Sequence, residues 1–475
     1  HAVRGKLLPE LYSHLKDPKT EGVRVPVALA VLKLLLLMPD RILHAELRGF
    51  LMRVVATLAS RNKALRQQGR DTLAKIVLEL GAPNFGAVMH EMKTSLTKGY
   101  KLHVLGYSLH HLLAKLTPTL KPGALDYCAT PLVDLLMEDL YGEAAEKKEV
   151  EEIATAMKEA RATKSYSSFQ LLASVISFVP NINLLIPPIH AAVMAAPGGI
   201  DSLKNVGVAR ELLRHASLGL AANPGVELQP LCVYVRGLLI THLPPTALQA
   251  KAAAAAGGPS AKDSAQAQGA GAPPPAEATT RVAAVGSVRQ PATEPGVTSG
   301  SGRSPLAHEL LAFGIGLLQS ALRRSCFSPN EATHLALLEP LLPLLHRSMR
   351  ADSDTVVSLS LRTVGAMMGY PLPSLPEHST ALLERTLQIL KRAASSKGTE
   401  LVGIGVKVVT SLLRNPPAAK AATRAARSAR ADSEVKKPGG GDGAADGDEG
   451  GEGEDGEGDK SADEADATRN VEETN

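Results

Sequence analysis

The sequence predicts an all-α protein built as a solenoid of stacked helix pairs. Three observations carry that expectation. Apolar residues recur with helical period along most of the chain, and Pro, Gly or Asn interrupts them after roughly 12–20 residues. Hydrophobic residues make up 44% of the 475 residues while aromatics are 3% and Trp is absent, so Leu and Ala must build the core. That composition suits packed helices better than aromatic-rich sheets. The third observation is internal repetition.

From Leu7 to Pro244 the chain reads as successive amphipathic helices. Their breaks fall at Pro39, Gly81-Ala82-Pro83, Pro122-Gly123, Pro197-Gly198-Gly199 and Asn223-Pro224. LRQQGRDTLAKIVLEL (65–80) superposes on KLHVLGYSLHHLLAKL (101–116) at a spacing of 36. Leu73, Ile76, Val77 and Leu80 then match Leu109, Leu112, Leu113 and Leu116. Residues 1–244 are therefore expected to be one run of helical repeats. The most apolar stretch, VPVALAVLKLLLLM (25–38), is interrupted by Lys33 and too short to span a bilayer. The opening HAVRGKLLPELYSHLKD has no apolar run of the signal-peptide kind. A chain that opens on His1 rather than Met is expected to be a fragment or an incomplete reading of a gene.

Residues 245–303 change character, as in AAAAAGGPSAKDSAQAQGAGAPPPAEATT. Such a stretch cannot bury enough apolar surface to offset chain entropy, and a disordered linker is expected. Helical patterning resumes over 304–415. There SLSLRTVGAMMGY (358–370) and GIGVKVVTSLLRN (403–415) match at a spacing of 45, pairing Val364, Met367 and Met368 with Val409, Leu412 and Leu413. Periods of roughly 36–47 residues with two helices each point to a HEAT/armadillo-like α-solenoid. A helix pair cannot close its own core, so it stacks on its neighbours and offers a long surface for partners. The alternative is an irregular helical bundle. A basic Ala-rich segment follows over 416–437, then a Gly/Asp/Glu tail over 438–475 that is expected to be disordered.

Net charge is +4, but it is unevenly spread. The stretch from Pro438 to Asn475 carries fourteen Asp/Glu and two Lys/Arg, a net of −12, which leaves +16 on the other 437 residues. A basic body with an acidic tail is common in proteins that handle nucleic acid, and a solubility balance explains it equally well. Between Arg61 and Lys121 ten Lys/Arg face Asp71, Glu79 and Glu91, a local net of +7. Lys63, Arg66 and Arg70 follow an i, i+3, i+7 pattern on one helix face, and Lys98 and Lys101 sit near the equivalent place one repeat later. These five are the RNA-binding candidates. A stripe of this kind binds phosphates through counterion release without reading sequence; an ordinary solvated face has the same spacing. In AAKAATRAARSAR, Lys420, Arg424, Arg427 and Arg430 share one broad face. Its apolar residues are nearly all Ala, a poor lipid anchor, so RNA or an acidic protein segment is the expected partner and not a membrane.

Catalytic patterns are missing from the sequence. It holds no GxxxxGK[ST] loop, no strand–GxGxxG–helix unit, no HExxH and no CxxC. FGIG at 313–316 lies within a helical pattern. His103, His110 and Tyr107 share a helix face with His111 nearby, but no further ligand accompanies them, and groove histidines are the expectation. Cys128, Cys232 and Cys326 lie about a hundred residues apart, which is no disulfide framework and suits a reducing compartment. No cofactor, metal, catalytic residue or small-molecule substrate is expected.

One stretch is unusually polar. YGEAAEKKEVEEIATAMKEARATKSYSSF (141–169) holds six acidic and five basic side chains between Glu143 and Lys164. Val150, Ile153 and Met157 form a narrow apolar stripe, and Glu143 and Lys147 a favourable i, i+4 pair. A helix is expected here, solvated on most sides, with Glu149, Glu151 and Glu152 as candidates for docking a partner protein.

The same stretch carries a resemblance. LYGEAAEKKEVEEIATAMKEARATKSYSSFQLL (140–172) and the preceding GYSLHHLLAKLTPTLKPGALDYCATPLVDLLMEDLYGE (106–143) are similar to the Down-Regulated In Metastasis family. Its members are very large HEAT-repeat components of the small-subunit processome. VARELLRHASLGLAANPGV (208–226) and, more weakly, MGYPLPSL (368–375) continue the match in order. The 245–303 linker and the 438–475 tail depart from the family's helical pattern. Family members are several times longer, so the resemblance implies an internal piece of such a protein. It implies a non-enzymatic scaffold of the nucleus and nucleolus, acting in 18S rRNA processing and 40S subunit biogenesis. The implied partners are pre-rRNA, the processome small nucleolar RNP and other processome proteins. A HEAT-repeat protein-binding adaptor or nuclear transport receptor without an RNA role remains the alternative, and the helical scaffold of a large kinase a third.

Overall fold

The computed structural model describes residues 3–18, 22–98, 100–142, 159, 163–195, 200–244, 306–395 and 399–414. All of them fall in one compact unit, His1–Arg424; the other unit, Ala425–Asn475, contains no described residue. The described residues are helical apart from turns and one isolated bridge between Lys16 and Val23.

In chain order the helices are α1 Leu8–Ser13, α2 Val25–Leu36, α3 Asp40–Val55, α4 Lys63–Leu80, α5 Phe85–Ser95, α6 Tyr100–Leu116, α7 Ala129–Tyr141, α8 Ser165–Ala173, α9 Phe178–Met194, α10 Ile200–Ala222 and α11 Leu228–His242. After residue 305 come α12 Ala307–Arg323, α13 Ala332–Leu338, α14 Leu342–Ser348, α15 Asp354–Met367, α16 Leu375–Ser395 and α17 Thr399–Arg414. Two layers emerge from their contacts. Helices α4, α6, α8, α10, α12, α15 and α17 each pack on the next in that order. Helices α3, α5, α7, α9, α11, α14 and α16 form the other layer, and each packs against the helix that follows it in the first. This is the stacked-pair architecture expected of a helical repeat protein.

Three of the predicted breaks show how they act, while Pro197-Gly198-Gly199 lies outside the described residues. Pro39 caps the start of α3 in an extended conformation. Gly81 ends α4 at φ +70°, a left-handed value that a glycine adopts without a Cβ penalty. Asn223 turns α10 into α11: its amide Nδ2 donates to Ala173 O (3.0 Å) and Ile176 O (2.7 Å), while Oδ1 accepts from Gly225 N (2.8 Å). That side chain is buried and ties one repeat's turn to the previous one.

The repeat at spacing 36 is the contact between α4 and α6. All eight of its matched apolar residues, from Leu73 to Leu80 and from Leu109 to Leu116, are buried. Each fully buried Leu or Ile contributes about 1.5–3 kcal/mol relative to an exposed one. The repeat at spacing 45 is the contact between α15 and α17, with one correction. Val364, Met367 and Leu412 are buried, Met368 and Val409 are half-buried, and Leu413 is 56% exposed. Helix α17 is the last described helix and packs on α15 and α16, with Leu413 on its exposed side.

No described helix is long and apolar enough to cross a membrane. Cys128 and Cys232 are buried and Cys326 is exposed; all three are free thiols, and burial pushes Cys128 up to about 11 and Cys232 to about 12.

Candidate nucleic-acid interface

Helix α4 places the basic candidates. Asn62 starts it by accepting a bond from Ala64 N at 2.8 Å, which satisfies one of the free first-turn N–H groups. Lys63 therefore stands on the first turn, exposed, and Arg66 and Arg70 follow on the next two. They do not share an exposed stripe with it. Arg66 is 4% exposed and Arg70 is 2% exposed.

Both guanidinium groups close on Glu159, itself buried. Arg66 binds it through two parallel bonds, Nε to Oε1 at 2.9 Å and Nη2 to Oε2 at 3.1 Å. Arg70 Nη1 reaches Oε1 at 3.1 Å. The remaining donors are also used: Arg66 Nη1 bonds to Ser60 O (3.1 Å) and Arg61 O (2.9 Å), and Arg70 Nη2 to Gln67 Oε1 (3.0 Å). Arg70 also lies 5.0 Å from the centroid of the Tyr107 ring on α6. Burial opposes ionisation of Glu159, but the bonds from Arg66 and Arg70 outweigh it and bring its pKa down to about 2. A buried carboxylate shared by two arginines is a structural clasp and leaves neither arginine free for phosphate.

The sequence pattern missed this because the partner lies 93 residues away in the charged stretch. An i, i+3, i+7 run of cations looks identical whether it meets water or a distant carboxylate. The signal that was present is the charged stretch itself, which carries Glu159. Glu149, Glu151 and Glu152 lie outside the described residues, as do Val150, Ile153, Met157 and the Glu143–Lys147 pair. So do Lys420, Arg424, Arg427 and Arg430, the 245–303 linker and the 438–475 tail.

Lysines remain at the surface. Lys63 and Lys98 are exposed and Lys101 is half-buried. Lys63 opens α4, and Lys98 and Lys101 flank the start of α6, whose Tyr100 Oη donates to Ala59 O in the turn that precedes α4. Of the acidic residues in this region, Glu91 is buried on α5 with Arg48 Nε at 2.9 Å, and Asp71 lies 3.2 Å from His111 Nε2 and accepts from Gln67 at 3.0 Å. Glu91 and Asp71 thus have partners, Glu79 is exposed, and Lys63 and Lys98 stay in solvent.

The histidines of α6 separate. His103 is buried. His110 is half-buried, its Nδ1 3.3 Å from Ser168 Oγ on α8. Among the described residues no group of three or more His, Cys, Asp or Glu is placed to hold a metal ion.

Stacked helix pairs of this kind define an α-helical repeat protein. Residues 15–239 match the U3 small nucleolar RNA-associated protein 20 domain, and over this part the chain is homologous to proteins of that name. The U3 small nucleolar RNA-associated protein 20 of Schizosaccharomyces pombe is 33% identical over 213 residues, covering 45% of this chain and 8% of that protein. The protein of the same name from Saccharomyces cerevisiae is 31% identical over 238 residues, covering 50% of this chain and 9% of its own. The match thus spans less than a tenth of these relatives' length. A crystal structure of an engineered protein overlays 89% of this chain and 98% of its own, but at a TM-score of 0.25 and 12% identity the likeness is too slight to bear on the fold.

Proposed function

We propose that this chain is a non-enzymatic holding segment of a small-subunit processome scaffold. It would keep pre-rRNA and assembly factors together in the nucleolus during 18S rRNA processing. The homology over residues 15–239 to proteins named for association with U3 small nucleolar RNA carries the reading. The surface lysines Lys63, Lys98 and Lys101 support its RNA-facing part, since exposed ammonium groups bind phosphates irrespective of sequence. The basic segment with Lys420, Arg424, Arg427 and Arg430 belongs to the same proposal, and so does protein docking at Glu149, Glu151 and Glu152. In that proposal residues 1–244 and 304–415 are the holding repeats, 245–303 a linker, and 416–437 and 438–475 a basic and an acidic appendage.

Purification of the full-length protein with sequencing of bound RNA tests it. Recovery of pre-rRNA together with U3 is expected. Lys63→Glu/Lys98→Glu/Lys101→Glu should reduce crosslinked RNA from this region, and reversal of Glu149, Glu151 and Glu152 should reduce the processome proteins recovered. Recovery of a small GTPase or cargo proteins with no RNA would overturn the reading.

A further inference from the structure

Beside the arginine clasp lies a recess of about 290 Å³. Tyr107, His110, His111, Ala114 and Lys115 of α6 line it, and Lys164, just ahead of α8, stands across from them. Its electrostatics are one-sided. Among the described residues, no carboxylate forms an ion pair with Lys115 or Lys164, whereas Glu159 is held by Arg66 and Arg70 and Asp71 sits against His111 and Gln67. The histidines register that field. Burial first, then the Lys164 ammonium and His111, bring the His110 pKa down to about 4. Burial likewise lowers His111; Asp71 opposes this, and Arg70 and Lys115 add to it. At neutral pH both rings are therefore mainly uncharged, and each can offer one N–H donor.

We propose that this recess is a phosphate-binding subsite for a single-stranded RNA backbone, held by Lys115 and Lys164. The inference rests on the RNA-holding reading given above. The choice of phosphate follows from the positive charge of the recess together with the RNA-holding reading. The guanidinium groups of Arg66 and Arg70, which grip carboxylate or phosphate alike, are already engaged by Glu159 and Gln67. What stays open is a pair of ammonium groups, which bind a phosphodiester as point charges. Tyr107 and the neutral histidines supply hydrogen-bonding groups for phosphate oxygens or ribose hydroxyls.

The test measures binding of labelled oligouridylate to the 475-residue chain as a function of salt. Lys115→Gln/Lys164→Gln should weaken binding roughly tenfold and flatten the slope of log affinity against log salt by about 1.4, two contacts at about 0.7 each. Lys115→Arg/Lys164→Arg should keep most of both. Lys63→Gln/Lys98→Gln/Lys101→Gln is measured in parallel. If that triple variant weakens binding while the recess variant keeps wild-type affinity and slope, the recess inference fails and the broader reading stands. If neither variant changes binding, both fail. An oligoglutamate probe that loses affinity for the recess variant while RNA binding is unchanged also overturns the proposal, in favour of an acidic-protein site. The two lysines lie outside the buried core, and matching thermal melts confirm that the variants are folded.

Discussion

At Glu159 a carboxylate surrounded by protein meets two guanidinium groups that are equally withdrawn from water. The attraction is strong because the site is dry, and the same dryness makes a missing partner costly. Glu159→Ala should destabilise the fold by about 3–5 kcal/mol, because it leaves Arg66 and Arg70 buried without a counterion. Urea unfolding measures that loss. The pH dependence has a definite sign. The folded pKa, about 2, lies below the ordinary 4.5, so the clasp's contribution is present above about pH 4.5 and is lost as pH falls toward 2. Denaturant titrations between those limits should show Glu159→Gln losing less stability to acid than wild type. An equal acid loss in both would exclude the clasp as the source.

Among the elements, the close approach of α8 and α10 is the most exacting contact. A Cβ at Gly219 would sit 2.2 Å from the backbone oxygen of Gln170 and 2.7 Å from Ala173 Cβ. Backbone cannot give way as a flexible side chain can, so Gly219→Ala must push the helices apart. A cost of about 1–3 kcal/mol is expected, read as a lower melting temperature. At Gly237, on the exposed side of α11, nothing lies within 4 Å, so Gly237→Ala should be neutral or slightly stabilising and serves as the control. Helix position and the 36-residue repeat were legible in sequence because burial follows local period: every matched residue in α4 and α6 is core. The second repeat was legible as helices and less so as core. Leu413 keeps the pattern of an inner repeat but is exposed among the described residues.

Across the whole helical unit, α11 and α12 pack directly on each other although residues 245–305 separate them in sequence. The two runs of repeats therefore continue one stack. Replacing residues 250–300 with a Gly/Ser segment of equal length should leave the thermal melt of the chain unchanged. A drop of several degrees would show that the stretch contributes packing. In a solenoid each pair contacts only its neighbours, so stability is approximately a sum of local terms. Losses at the Glu159 clasp should accordingly be felt first in α4, α6 and α8.

By itself the sequence determined the helices, their breaks, the two-layer stacking and the resemblance to a processome family. Each of these depends on neighbours in the chain or on a period the chain repeats. Tertiary structure decided which cations reach solvent. Lys63, Arg66 and Arg70 are equivalent as a spacing, yet one faces water and two close on a carboxylate 93 and 89 residues away. Charge pairing at that separation follows from how helices stack, and no local pattern encodes it.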